Sequence, residues 1–495
     1  MSAQFDDETL ADLVQDFAEL LAIVDDNIER LNVARGQIFS NALPDTASTV
    51  EGVIDNLFVT YRRLHDELSR PLQKGDIAEL TREKKRIANI VRGMQGVVGS
   101  LIASTDWQSP SFLHAVQSQA GRQTGKISGT VNDYKRDHHM DAAKYENAFR
   151  REYIDATFRI PPKVYLTASG MAAFSTAVTT LAAEGRMDGP IMVGRGSYFE
   201  NKQVLEQFFG DRLVFFDEMH FDGVLAMVKK IQPVAIVIDS LTNTADIAVP
   251  DLRRLLPAIA RVVTQPTVLI LDNTGMATAY QPFVDMPRVP SKLTLVVVES
   301  LNKYYQLGMD RVTGGVIWRT GLAPIGFFGS RMHLGTNMPD ASVLSLPTPN
   351  RALLDKRLAR LHRNATLLAT ALDAHIKTSH TPFSHVVYPG LPSHPAYSWS
   401  VDRFHGSFFI LAFKPTFSHV RLSKKFLGIA IDEARKGGVD IVAGTSFGFS
   451  TTRIYLTALH ASKYAKPFLR ISVGTETRAE IDALTAIFIR AIDRL

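Results

Sequence analysis

Residues 296–315 read VVVESLNKYYQLGMDRVTGG, and this stretch decides the fold. Three valines follow Thr294-Leu295, the pattern of a strand buried on both faces. The chain then breaks into a polar turn carrying Lys303 between Asn302 and Tyr304, and a glycine pair closes it. A lysine just beyond a buried strand is expected in a partly desolvated pocket. Such a pocket favours the neutral, nucleophilic amine that can form a Schiff base. Taken alone, Lys303 also fits an ordinary loop lysine. Its partners have to come from the rest of the chain.

Upstream, short apolar runs lie at Val164–Leu166, Ile191–Val193, Leu213–Phe216, Val234–Ile238, Val268–Leu271 and Leu293–Val298. Helical patterns near Ala172–Ala183, Asn201–Phe209, Gly223–Lys230 and Leu252–Val263 separate them. Strands alternating with helices predict an α/β domain with a mainly parallel sheet covered on both faces. Ligands bind such sheets in the loops at the carboxyl ends of the strands.

Four of those loops carry chemistry. Ser169 is a good N-cap before Gly170-Met171-Ala172-Ala173, and the first amides of that helix suit a phosphate; a plain capped turn fits equally well. Tyr198 offers a ring at a strand end, and Ser240-Leu241-Thr242-Asn243 leaves a strand with several hydrogen-bonding groups. Asp272 follows a fully apolar run, a costly position unless it meets a cation or donors. Together with Lys303 these features suit pyridoxal 5'-phosphate. That cofactor needs a lysine, a carboxylate for its pyridinium nitrogen, a ring to stack on and a phosphate cup.

On either side the pattern changes. Residues 1 to about 105 read as amphipathic helices, for example Leu10, Leu13, Val14, Phe17, Leu20, Leu21 and Val24. Ser48 with Glu51 and Asp76 with Glu79 look like capping boxes opening the second and third helices. These helices are expected to pack on each other or on a neighbouring subunit, with Lys84-Lys85-Arg86 as a solvated face. After Thr348, a long helical pattern at Ala352–His375 leads to strands Phe408–Phe413 and Phe468–Val473 and helices near Val420–Lys436 and Arg478–Leu495. Three parts are therefore expected: a helical extension and linker (1–130), a large α/β domain (131–347) and a smaller α+β domain (348–495).

Composition narrows the function classes. Lys plus Arg exceed Asp plus Glu only as 55 to 50, without the dense basic runs of a nucleic-acid surface. With no cysteine there are no disulfides and no thiolate chemistry. The acidic N-terminus lacks the apolar core of a signal peptide, and no apolar run approaches a membrane span. A cytoplasmic protein with no membrane or nucleic-acid partner is expected. Histidines at 138, 139, 375, 380 and 385 lack carboxylates at ligand spacing, so no metal is expected.

From about Tyr134 onward the chain resembles the Cys/Met-metabolism group of fold-type-I pyridoxal-phosphate enzymes, which includes cystathionine γ-synthase, cystathionine lyases and methionine γ-lyase. The marks are Ser169–Ala173, Thr242-Asn243 before Val249-Pro250-Asp251, Asp272-Asn273-Thr274 and Ser300–Lys303 with Gly308, Asp310 and Gly314-Gly315. Tyr388–Leu391, Ser393-His394-Pro395 and Leu469–Gly474 add to them. The resemblance implies Lys303 as cofactor-linking lysine and proton shuttle, Asp272 as pyridinium partner and Tyr198 as stacking ring and proton relay. It implies Asn243 at the phenolic oxygen, with Ser169, Gly170, Met171, Ser300 and Asn302 around the phosphate. Arg470 would clamp the substrate carboxylate, with Arg453 as the alternative. Tyr134 and Arg136 would reach the phosphate of a neighbouring subunit, which makes a homodimer or homotetramer with shared sites.

Departures from the family pattern bear on specificity. Asn302 stands for a usual threonine, Gly308-Met309 for histidine-serine, Ile441 for a serine and Phe199-Glu200-Asn201 for Gly-Gly-Thr. The expected reaction is elimination or replacement at the γ carbon of an L-amino acid. The departures suggest an unusual substrate, with a halide, acyloxy or sulfonium leaving group, or a vinylic halide that yields a terminal alkyne. Aminotransfer on the same fold is the first alternative. A non-catalytic helical scaffold with a vestigial site is the second.

Overall fold

The computed structural model describes residues 2–41, 44–72, 77–105, 140–156, 160–320, 324–461 and 463–495. Its large sheet contains β1 (Lys163–Thr167), β2 (Ile191–Gly194), β3 (Leu213–Phe216), β4 (Ala235–Asp239), β5 (Thr267–Asp272), β6 (Leu293–Ser300) and β7 (Gly315–Arg319). They are ordered β1-β7-β6-β5-β4-β2-β3. The strands β2 to β6 are mutually parallel, and β7 is antiparallel to both neighbours.

The sequence dictates this arrangement through two-sided burial. AIVID of β4 is buried throughout, as are five of the six residues of β5, TVLILD. Alternate residues serve opposite faces. Ile236, Ile238, Leu269 and Leu271 pack with helix Leu252–Val262, while Val237, Ile270, Val296 and Val298 pack with Phe174, Val178 and Leu181 of helix Gly170–Ala183. The carboxyl ends align as well: Asp239 lies in register with Asp272, and Ser300 with Gly315. β7 did not appear in the sequence pattern. It follows no helix; the chain doubles back across the lysine loop, and the glycine pair marks the turn.

The carboxyl-terminal part forms a second sheet from β8 (Phe383–Val387), β9 (Phe408–Phe413), β10 (Val442–Ala443), β11 (Arg453–Thr457) and β12 (Phe468–Ser472), ordered β10-β11-β12-β9-β8. Helices Arg351–Thr378, Val420–Gly437 and Arg478–Asp493 cover it around a core that includes Leu368, Phe426, Leu469 and Phe488. Thr477 and Glu480 form a capping box at the start of the last helix.

Three long helices precede the sheet: α1 (Ser2–Asn41), α2 (Pro44–Leu68) and α3 (Ile77–Thr105). Their stripes meet as expected, with Leu13, Phe17 and Val24 against Tyr61, Leu64, Ile87 and Val91. The second helix opens at Pro44, so Ser48 lies inside it, and proline supplies the start. Asp76 lies outside the described residues. The bundle docks on its own chain. Arg357, Arg360 and Arg363 of helix Arg351–Thr378 pair with Glu19 (2.6 Å), Asp16 (2.9 Å) and Asp12 (2.8 Å). Lys84, expected on a solvated face, is half-buried between Asp16 (3.0 Å) and Glu480 (3.2 Å). Amphipathic periodicity cannot distinguish a charge facing water from one facing a buried acid. Among the described residues no helix is long and apolar enough to cross a membrane.

Candidate active site

The loops at the carboxyl ends of β1, β2, β4, β5 and β6 converge with two elements of the second sheet on a cavity of about 400 Å³. Ser169, Gly170 and Met171 form one wall. Ser169 caps its helix by accepting from the Ala172 amide at 3.0 Å, which leaves the earlier amides of a 14-residue helix pointing outward. A Cβ on Gly170 would sit 2.7 Å from Cβ of Ser300, so only glycine lets the helix start approach Ser300 this closely.

Lys303 lines the cavity, and its Nζ donates to Ser446 Oγ at 2.8 Å. Burial, partly opposed by Asp310 and Asp272, lowers the amine to about 8. Asp272 accepts from Asn201 Nδ2 (3.1 Å) and the Thr274 amide (3.0 Å), and burial raises its carboxyl above the usual range. Asp239 is pushed up more strongly by burial and the neighbouring Asp272, and it accepts from the Tyr198 amide at 3.0 Å. Tyr198 lines the cavity beside Glu200; burial first and that carboxylate second raise its phenol.

Arg470 extends from the middle of β12 and is almost fully buried. Its Nη1 donates to Asn243 Oδ1 at 2.6 Å and its Nη2 to the Ser446 carbonyl at 3.1 Å, while burial lowers it to about 10. The fork lies near the rings of Phe408 and Phe447, 5.5 and 5.8 Å from their centroids. Arg453, the alternative clamp, does not line the cavity. It lies 3.5 Å over the Phe449 ring and donates to the Thr445 carbonyl at 2.9 Å, supporting the loop from behind. Asn302 reaches the cavity wall, yet its amide bridges the Val312 carbonyl and the Gly314 amide, each at 3.0 Å. Tyr134 and Arg136 lie outside the described residues.

Other lining residues had no role in the sequence reading. Ser446 is the clearest, held at φ +74 in a segment bounded by Gly444 and Gly448. Ile441, one of the departures expected to bear on specificity, packs against the core of the second sheet, and Thr445-Ser446-Phe447 enters the cavity instead. Gly308 and Met309 also turn away, Met309 into the core of the helical extension. Of the departures expected to shape specificity, Glu200, Asn201 and Asn302 reach the cavity. Leu307, Asp310 and Ser446 are non-glycine residues with positive φ in the two loops framing Lys303, a concentration of backbone strain typical of functional sites.

Residues 108–486 match the sequence profile of a family described as Cys/Met metabolism PLP-dependent enzymes. The chain belongs to that family. It is similar to the bifunctional enzyme flvA of Aspergillus flavus, 27% identical over an alignment of 345 residues that covers 67% of this chain and 39% of that protein. The chain thus matches well under half the length of that curated relative. Among solved structures, cystathionine gamma synthase from Xanthomonas oryzae pv. oryzae superposes with a TM-score of 0.55 at 19% identity, covering 73% of this chain and 89% of that one. Cystathionine gamma-lyase from Lactobacillus plantarum gives 0.56 at 18%, covering 73% and 89%. At those identities the likeness establishes the shared fold.

Pyridoxal phosphate is the cofactor of this family, and the cavity suits it on this chain's own geometry. Free helix-start amides and Ser300 form an anion cradle, Lys303 supplies a low-pKa amine, and Asp272 is a half-buried acid whose charge interacts with Lys303. A cationic ring nitrogen would offset the cost of burying that acid.

Proposed function

We propose that the chain is a pyridoxal-phosphate lyase or transferase that takes the Cα proton from an L-amino acid and expels or replaces a group at its γ carbon. The observation that carries this reading is the gathering of Lys303, Asp272 and Arg470 in one cavity. We assign Lys303 to linking the cofactor and moving protons, and Asp272 to the ring nitrogen. Tyr198 serves as stacking ring and proton relay, and Asn243 serves the phenolic oxygen. Ser169, Gly170, Met171 and Ser300 hold the phosphate. When bound, the cofactor withdraws the electrons left behind as the Cα proton departs.

This chain's residues then divide the remaining work. Burial leaves a larger share of Lys303 neutral near physiological pH than an ordinary lysine has, so its Nζ can accept the substrate proton, and Ser446 Oγ orients that amine. Arg470 presents a planar fork for the α-carboxylate, held in place by Asn243. Glu200 lies beside the Tyr198 phenol and puts negative charge on the wall. Of the halide, acyloxy and sulfonium leaving groups, that charge favours the cationic sulfonium. The division into 1–130, 131–347 and 348–495, a cytoplasmic location and a dimeric or tetrameric assembly complete the reading.

The deciding experiment is a mass-spectrometric screen of amino acids against the cofactor-loaded protein, scoring ammonia, keto acid and released side-chain group. Keto acid with the side chain intact would overturn the lyase reading in favour of aminotransfer. Retained cofactor without turnover of any amino acid would leave a scaffold.

Two further outcomes follow from the geometry. Arg470→Lys keeps the charge but loses the fork and leaves Asn243 without its partner, so kcat/KM falls about a hundredfold, mainly through KM. Steady-state kinetics on the amino acid found in the screen would show this. Cofactor uptake by the apoenzyme requires the neutral Lys303 amine, which titrates at about 8. The uptake rate therefore climbs as pH rises through that value and levels off above it. A rate still climbing towards pH 10.5, the ordinary lysine range, would contradict the burial of Nζ.

A further inference from the structure

From the contacts between the helical extension and the two loops framing Lys303, we infer that α1 and α3 are a brace for the active site, with Glu19, Arg357 and Arg92 as positioning residues. The inference rests on the reading of Lys303 as the cofactor-linking lysine.

Arg357 is the node. It is fully buried in the long helix Arg351–Thr378, and its Nη1 donates to Glu19 Oε2 of α1 at 2.6 Å. Its Nη2 donates to the Gly448 carbonyl at 3.0 Å and to Ser450 Oγ at 3.2 Å. The same guanidinium lies against Gly308, where a Cβ would stand 2.5 Å from Nη2. One side chain thus touches α1, the end of the lysine loop and the loop that carries Ser446.

Those two loops are locked to each other. A Cβ on Gly448 would stand 2.2 Å from the Lys303 carbonyl, and Ser446 accepts from Lys303 Nζ. A second tie comes from α3, where Arg92 Nη2 donates to the Gly308 carbonyl at 3.1 Å. Leu307 and Met309 of the lysine loop are buried among the extension's own apolar residues. The loops also hold strained backbone at Leu307, Asp310 and Ser446. Such strain persists only where the surroundings over-determine it. The extension supplies a large part of those surroundings.

A merely structural extension would lower stability when loosened and leave the chemistry of Lys303 alone. A brace would also change the environment of Nζ. Full-length, cofactor-loaded Glu19→Gln, Arg92→Gln and Asp26→Asn proteins separate the two. Asp26 bonds α1 to Thr348 and pairs with Arg30 of the same helix, and neither bond reaches the two loops. Three readouts are compared: the melting temperature, the pH midpoint of the bound-cofactor absorbance, and the rate at which hydroxylamine strips the cofactor.

In Glu19→Gln and Arg92→Gln the midpoint moves up by about half a pH unit or more, because water reaching Lys303 favours its charged form. Stripping accelerates about threefold or more, as expected when the reacting groups lose their fixed geometry. Asp26→Asn lowers the melting temperature and moves neither. If Glu19→Gln fails to fold, Arg92→Gln decides alone. Both variants matching Asp26→Asn in all three readouts would overturn the brace. A lysine-linked absorbance band that still titrates in Lys303→Ala would overturn the reading of Lys303 itself, and the brace with it.

Discussion

Lys303→Ala is expected to abolish the lysine-dependent absorbance of the bound cofactor and to lower turnover by about 10⁴-fold, the upper range for loss of a positioned proton-transfer group. Two functions disappear together: the covalent tether and the base. The substitution removes a buried amine from beside Ser446, so the protein should fold and still hold cofactor through the helix-start amides and Ser300. Borohydride reduction followed by peptide mass spectrometry would find the cofactor's mass on the Lys303 peptide in the wild type and on no peptide in the variant. Label on another lysine would reject the assignment.

Asp272→Asn comes next in size. The amide is nearly isosteric and can keep the contacts to Asn201 and the Thr274 amide after reorientation, so the shape of the cavity survives. The negative charge at the end of β5 does not, and the ring nitrogen loses the partner that keeps it protonated. A preorganised charge at a reacting centre is worth about 10²–10³ in rate, and that is the expected fall in kcat with the cofactor still bound. Without cofactor the sign reverses. Burial holds this carboxyl above its usual range, so the charged form is a cost to the empty protein. The melting temperature of the apoenzyme should therefore hold or rise in the variant. Equal losses of melting temperature with and without cofactor would show that Asp272 has a structural role only.

Much of this site was legible because its chemistry interrupts apolar strands. Asp272 and Lys303 stand where runs of buried residues stop, and Arg470 puts a charge inside the fully buried FLRIS of β12. A charge in such a place needs a local reason, and one sequence is enough to pose the question. Ser446 interrupts nothing. It reaches the cavity through a left-handed backbone in a short loop, and glycine-serine composition does not reveal which loop folds inward. Ile441, read as standing for the family's serine, packs against the core of the second sheet instead.

Arg357 was hidden for another reason. On a long amphipathic helix it looks like any solvent-facing cation until α1 brings Glu19 against it. β7 escaped because its antiparallel return needs no crossover helix to announce it. The second helix began at Pro44 and overran its expected cap.

The amine hangs from one sheet and the carboxylate fork from the other, and their approach is what makes the cavity. A cut in the connection before Arg351 would leave half of the catalytic apparatus on each fragment. Neither piece alone could turn over substrate. Mixing the two should restore activity to the extent that the fragments reassociate, which makes the chain a natural split reporter.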